Sequence, residues 1–68
     1  MQNIGYLIKK KRLTLSMSQH DLGIEANKDI KYIGKIERGE VNVSIQKLRS
    51  ICNVLNTTLS NFFKELNY

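Results

Sequence analysis

Sixty-eight residues leave room for one domain, and a chain this short buries only about 60% of the surface that its unfolded form exposes. Apolar residues at 41%, charged residues at 25% and the absence of proline suit a compact helical bundle and exclude a disordered tail. Most of the net charge of +5 sits in the first half, where Lys9, Lys10, Lys11, Arg12, Lys28, Lys31, Lys35 and Arg38 outnumber Asp21, Glu25, Asp29 and Glu37, a balance that suits a polyanionic partner.

Residues 4–15, IGYLIKKKRLTL, place Ile4, Leu7, Ile8 and Leu15 at helical spacing with Lys9, Lys10 and Lys11 largely off that stripe, which predicts a first helix. Ser18 is a favourable N-cap, Asp21 stands three residues on, and Met17 and Leu22 are spaced as a hydrophobic staple, so a second helix begins at Ser18 or Gln19. It stops near Ala26, because Asn27 tolerates the left-handed conformation that ends helices. Asp29 caps a third helix, which turns Ile33 and Ile36 inward and terminates at Gly39. After a loop at 40–43, Ser44 caps a fourth helix, and Val43 and Leu48 repeat the staple spacing. Ile45, Leu48, Cys52 and Leu55 share one face of it, which Ile51 and Val54 widen. Asn56 stops this helix, and Thr58 caps a fifth whose apolar face is Leu59, Phe62, Phe63 and Leu66. The expected fold class is all-α, a compact five-helix domain spanning 1–68, with no linker, repeat or alternating segment that requires a strand.

Gly23 lies inside the second helix, where alanine would be more stable by up to about 1 kcal/mol, so a packing reason is expected. With Ala26 three residues on and a turn centred on Asn27, small residues let the third helix cross closely, which makes 18–37 a helix-turn-helix. The outer face of the third helix then carries Ile30, Lys31, Gly34, Lys35 and Arg38, a cationic surface on a helix slim enough for the DNA major groove. A run of lysines alone would read as a solvated face; the small residues and the turn decide for DNA. Arg12 and Glu37 are charged residues on core stripes, and buried charges need partners, so the two are expected to pair between the first and third helices.

Catalysis is not indicated: His20 has no nucleophile or orienting carboxylate around it and reads as a surface side chain. The single Cys52 forms no internal disulfide and fits a small buried thiol, and no clustered ligand set suggests a metal or other cofactor. Tyr6, Tyr32, Phe62, Phe63 and Tyr68 form no stacking array of the kind that binds single strands. No membrane span or signal segment is apparent, so a cytoplasmic protein is expected. No small-molecule effector pocket is expected either, since every apolar face is needed for so small a core.

The segment SQHDLGIEANKDIKYIGKIERGE resembles the motif of the lambda-repressor and Cro-like (XRE-type) helix-turn-helix regulators. The resemblance extends to IGYLIKKKR, to the Arg12 and Glu37 pair and to LRSICNVLNTTLSNFF, almost the whole chain, and VNVSIQKL after ERGE is most similar to the controller proteins of restriction-modification systems. It implies a sequence-specific regulator of transcription that binds a palindromic operator in double-stranded DNA as a homodimer, with helix 29–38 in the major groove. Gln19 and Arg38 would touch phosphates, while Ile30, Lys31 and Lys35, with Gly34 between them, would face base edges. Two departures stand out. Asn27 replaces the usual turn glycine, and Lys28 replaces an apolar residue, losing a staple to Ile33 and opposing the helix dipole; either the helix start is loosened or Lys28 reaches a phosphate. Asn42, in the loop that follows, is expected at a phosphate as well. Ile30 is either an ordinary exposed apolar residue or a contact to a thymine methyl group. Ile51, Val54 and Phe62 exceed what one narrow stripe needs and are expected at a two-fold interface. The rival reading is a protein-interaction module, such as an antitoxin with secondary DNA binding.

Overall fold

The computed structural model describes residues 3–66, so Tyr68 lies outside them. Five helices occur among the described residues: α1 (Ile4–Thr14), α2 (Gln19–Glu25), α3 (Ile30–Glu37), α4 (Ile45–Val54) and α5 (Leu59–Glu65). Each opens on a side chain that accepts a backbone N–H left without a partner in the first turn. Asn3 accepts from Tyr6 at 2.7 Å, Asp29 from Lys31 at 2.7 Å, Ser44 from Lys47 at 3.2 Å and Thr58 from Asn61 at 3.1 Å. At α2 the cap is reciprocal: Ser18 Oγ accepts from the Asp21 N–H and Asp21 Oδ2 accepts from the Ser18 N–H, both at 2.9 Å. The caps at Ser18, Asp29, Ser44 and Thr58 were expected; Asn3 was not.

The first four helices end the same way. Ser16, Asn27, Gly39 and Asn56 take positive φ, and the residue after each donates its N–H back five positions: Met17 to Arg12, Lys28 to Gly23, Glu40 to Lys35, and Thr57 to Cys52, at 2.7 to 3.0 Å. This is the Schellman closure, which satisfies carbonyls that the last turn leaves open.

The core is Leu7, Ile8, Leu22, Ala26, Ile33, Ile36, Leu48, Ile51, Cys52, Leu55, Phe62 and Leu66, drawn from all five helices and their ends. Burial pushes the Cys52 thiol up, which keeps it protonated and inert. Glycine makes two crossings possible. A Cβ on Gly5 would be driven into the carbonyl oxygen of Ile36 and stand 2.9 Å from that of Glu37, so α1 and α3 cross at bare backbone. A Cβ on Gly23 would stand 2.8 Å from the carbonyl oxygen of Lys28, which sets the tight turn between α2 and α3.

Four expectations need correction. Ile51 and Phe62 are completely buried within this one chain, because the middle of a five-helix globule is covered on more than one side; neither has surface left for a two-fold interface. Helical spacing puts Leu15 and Ile45 on core stripes, yet they are 39% and 54% exposed. One follows the last turn of α1 and the other begins α4, where the stripe no longer faces a neighbour.

Candidate nucleic-acid interface

Glu37 ends α3 with a side chain only 2% exposed. Arg12, on the inner face of α1, donates to it from Nε at 2.8 Å and from Nη2 at 3.0 Å, and its Nη1 donates to the Met17 carbonyl at 2.8 Å. This is the expected pair, in the bidentate geometry that best offsets the loss of water around two buried charges. The hydrogen bond to Glu37 raises the Arg12 pKa further despite burial. Glu37 Oε1 also accepts from Gln19 Nε2 at 3.1 Å. One carboxylate therefore fixes α1, α3 and the first residue of α2 against one another.

Gln19, Ile30, Lys31, Gly34, Lys35 and Arg38 line one shallow depression of about 360 Å³. Lys31, Lys35 and Arg38 are exposed, and Ile30 is 45% exposed. No acidic side chain is among the lining residues. Gly34 lies beneath the others: a Cβ there would stand 3.0 Å from Arg38 Nη1 and 3.5 Å from Gln19 Oε1. Its lack of a side chain lets the guanidinium and the amide approach α3 this closely.

Two expected phosphate contacts are not among the residues lining this depression. Asn42 is exposed in the loop before α4. Lys28 is half-buried, and its Nζ donates to the Ala26 carbonyl at 3.2 Å. That resolves its awkward position, since a cation that opposes the dipole of α3 here complements the C-terminal end of α2.

Sequence reasoning missed two contacts around α3. Lys47 Nζ lies 5.0 Å from the centre of the Tyr32 ring, a cation–π contact that ties α3 to α4. Arg38 donates to Glu40 from Nε at 2.6 Å and from Nη2 at 3.3 Å, and this pairing raises the pKa of Arg38 and lowers that of Glu40. The available signal was two opposite charges flanking a helix-ending glycine.

The helix-turn-helix family matches residues 8–62. This chain belongs to the XRE-type helix-turn-helix family. Among solved structures, the XRE-type chain is similar to the restriction-modification controller protein C.Esp1396I, with 38% identity and a TM-score of 0.85 over 93% of this chain and 82% of that one. The C.Esp1396I tetramer in complex with its natural 35 base-pair operator also gives 38% identity and a TM-score of 0.85, over 93% and 83%. An HTH-type transcriptional regulator of Sinorhizobium medicae (strain WSM419) is 33% identical over 63 residues, 93% of this chain. The XRE-type chain spans about half, 45%, of the length of the curated relatives that it matches. Among the described residues no helix is long and apolar enough to cross a membrane, and no three potential metal ligands cluster.

Proposed function

We propose that this chain is a sequence-specific regulator of transcription that works in the cytoplasm by occupying double-stranded DNA and not by catalysis. The observation that carries this reading is the depression along α3 lined by Lys31, Lys35 and Arg38, backed by a buried ion pair that holds the reading helix rigidly to the domain. An eight-residue helix is about 12 Å long, close to the width of the major groove. Seated there, Lys31, Lys35 and Ile30 face base edges, and Gln19 and Arg38 reach the flanking phosphates. Lys28 and Asn42 extend the phosphate contacts once Lys28 leaves Ala26. The likeness to a controller protein described as a tetramer on its operator supports a homodimer reading a palindrome.

Selection of binding sequences from a random duplex pool tests this directly. The expected result is an enriched palindrome with half-sites about one helical turn apart. On that sequence, Lys31→Ala or Lys35→Ala is expected to cost about 1 to 3 kcal/mol and to relax discrimination at particular base pairs, chiefly guanines. Arg38→Ala should weaken all duplexes alike and flatten the salt dependence. A pool that returns no enriched motif at moderate salt overturns the reading in favour of a protein-interaction module.

A further inference from the structure

Arg38 is placed at the edge of the DNA-facing depression, yet in the free chain its fork is already occupied. Two of its nitrogens, Nε and Nη2, donate to the two oxygens of the Glu40 carboxylate at 2.6 and 3.3 Å. That is the geometry in which a guanidinium takes two oxygens of a phosphate. A phosphate arriving at the same edge of the fork therefore has to displace a carboxylate that mimics it.

The Glu40 side chain has no evident work to do for the fold. Its backbone N–H closes the end of α3 on the Lys35 carbonyl, a bond open to any residue but proline. An acidic side chain just past a helix C-terminus opposes the helix dipole. Both partners of the pair are about half exposed, with side chains at 57% and 51%, and ion pairs of this kind add little to stability. The charges that act on Glu40 are Arg38 and Lys35, two of the cations that line the depression.

We infer that Glu40 is an internal stand-in for a DNA phosphate, which occupies Arg38 in the free protein and must release it before α3 can seat in the groove. The inference rests on the DNA-binding reading above. Its consequence is a restraint on affinity for duplex of any sequence. Phosphate contacts supply essentially all of non-specific binding, so weakening one of them leaves the base-facing residues as the larger determinant of where the protein stays.

The test is a double-mutant cycle read by fluorescence anisotropy on a mixed-sequence duplex of about 30 base pairs, using the full chain at low salt. Glu40→Gln is expected to bind about two- to fivefold more tightly than the parent, the range that an exposed ion pair permits, with an unchanged thermal midpoint. In an Arg38→Ala background most of that gain should vanish, since no guanidinium is left to release. Glu40→Ser, which keeps a polar side chain and removes the carboxylate, should reproduce the result. An equal gain in both backgrounds would mean that Glu40 acts only through net charge and overturns the inference, as does the absence of any gain. A parent that binds duplex without a gain in Glu40→Gln fails this inference alone. A parent and a variant equally inert toward duplex fail the DNA-binding reading along with it.

Discussion

Gly5 and Gly34 are both helical glycines, and intrinsic propensity treats them alike: replacement by alanine favours a helix by about 1 kcal/mol. Their surroundings separate them. At Gly5 the added methyl would meet the backbone carbonyls of Ile36 and Glu37, which cannot move without shifting α3 and the Arg12–Glu37 pair with it. Forcing extra volume into such a contact costs about 1 to 3 kcal/mol or more, so packing outweighs propensity and Gly5→Ala is expected to lower the urea midpoint. At Gly34 the nearest atoms are the ends of Arg38 and Gln19 side chains, which can swing aside. Gly34→Ala is therefore expected to raise stability by up to about 1 kcal/mol while weakening duplex binding, since the methyl would occupy the face proposed to approach DNA. Denaturant unfolding and anisotropy on the same two variants check the pair of signs. If Gly5→Ala proved as stable as the parent, the close crossing of α1 and α3 would be wrong. The sequence pointed to Gly23 as a costly glycine inside a helix with a turn close by; Gly5 had no turn near it, and what it touches, Ile36 and Glu37, is distant in sequence.

The element boundaries were the most legible part of the sequence, because caps act on neighbours two to four residues away. Ser18, Asp29, Ser44 and Thr58 cap helices as expected, and Asn27, Gly39 and Asn56 end them with positive φ. For α1 the boundary at residue 15 was legible but its terminator was not, since Ser16 is an uncommon choice for positive φ. Which side of a helix faces the core was less legible. Periodicity found Leu7, Ile8, Ile33 and Ile36 but misplaced Leu15 and Ile45, whose exposure is set by where the neighbouring helices stop. The cap of α2 makes a pH-dependent prediction. The two hydrogen bonds with Ser18 hold the Asp21 carboxyl below its usual range. A carboxyl with a depressed folded-state pKa stabilises above its unfolded value, about 3.9, and loses that contribution as pH falls through the folded value. Asp21→Asn should thus melt below the parent by a constant margin from about pH 5 to 8, and the margin should shrink below about pH 4. Melting curves followed by circular dichroism measure it, and a margin that persisted undiminished at about pH 3 would show that the charge plays no part in the cap.

At the scale of the molecule, the accessible surface is 4563 Å², against about 4,400 Å² expected for a folded monomer of 7.9 kDa. One chain therefore closes its own core, and a homodimer would be the association of two folded units whose DNA affinity depends on protein concentration. The sequence pointed to α4 and α5 as the interface but named two residues that the core had already used. Of the three, Val54 alone keeps exposed surface: it is half-buried on α4, as are Leu59 and Phe63 on α5. The distinction can be measured. A carboxylate at Ile51, which is 0% exposed, would be buried without a partner and should unfold a domain whose total stability is about 3 to 10 kcal/mol. At Val54 the carboxylate can reach water, so Val54→Asp should keep its helical signal, with a loss of about 1 kcal/mol. If the parent is the proposed homodimer, Val54→Asp should sediment as a monomer at concentrations where the parent associates, and its binding to a two-half-site duplex should fall to the level of a single half-site. If Val54→Asp stayed dimeric with undiminished binding, the partner copy would dock elsewhere on the domain. The proposal for α3 would survive, because the residues that line its depression belong to α2, α3 and the residue that ends α3.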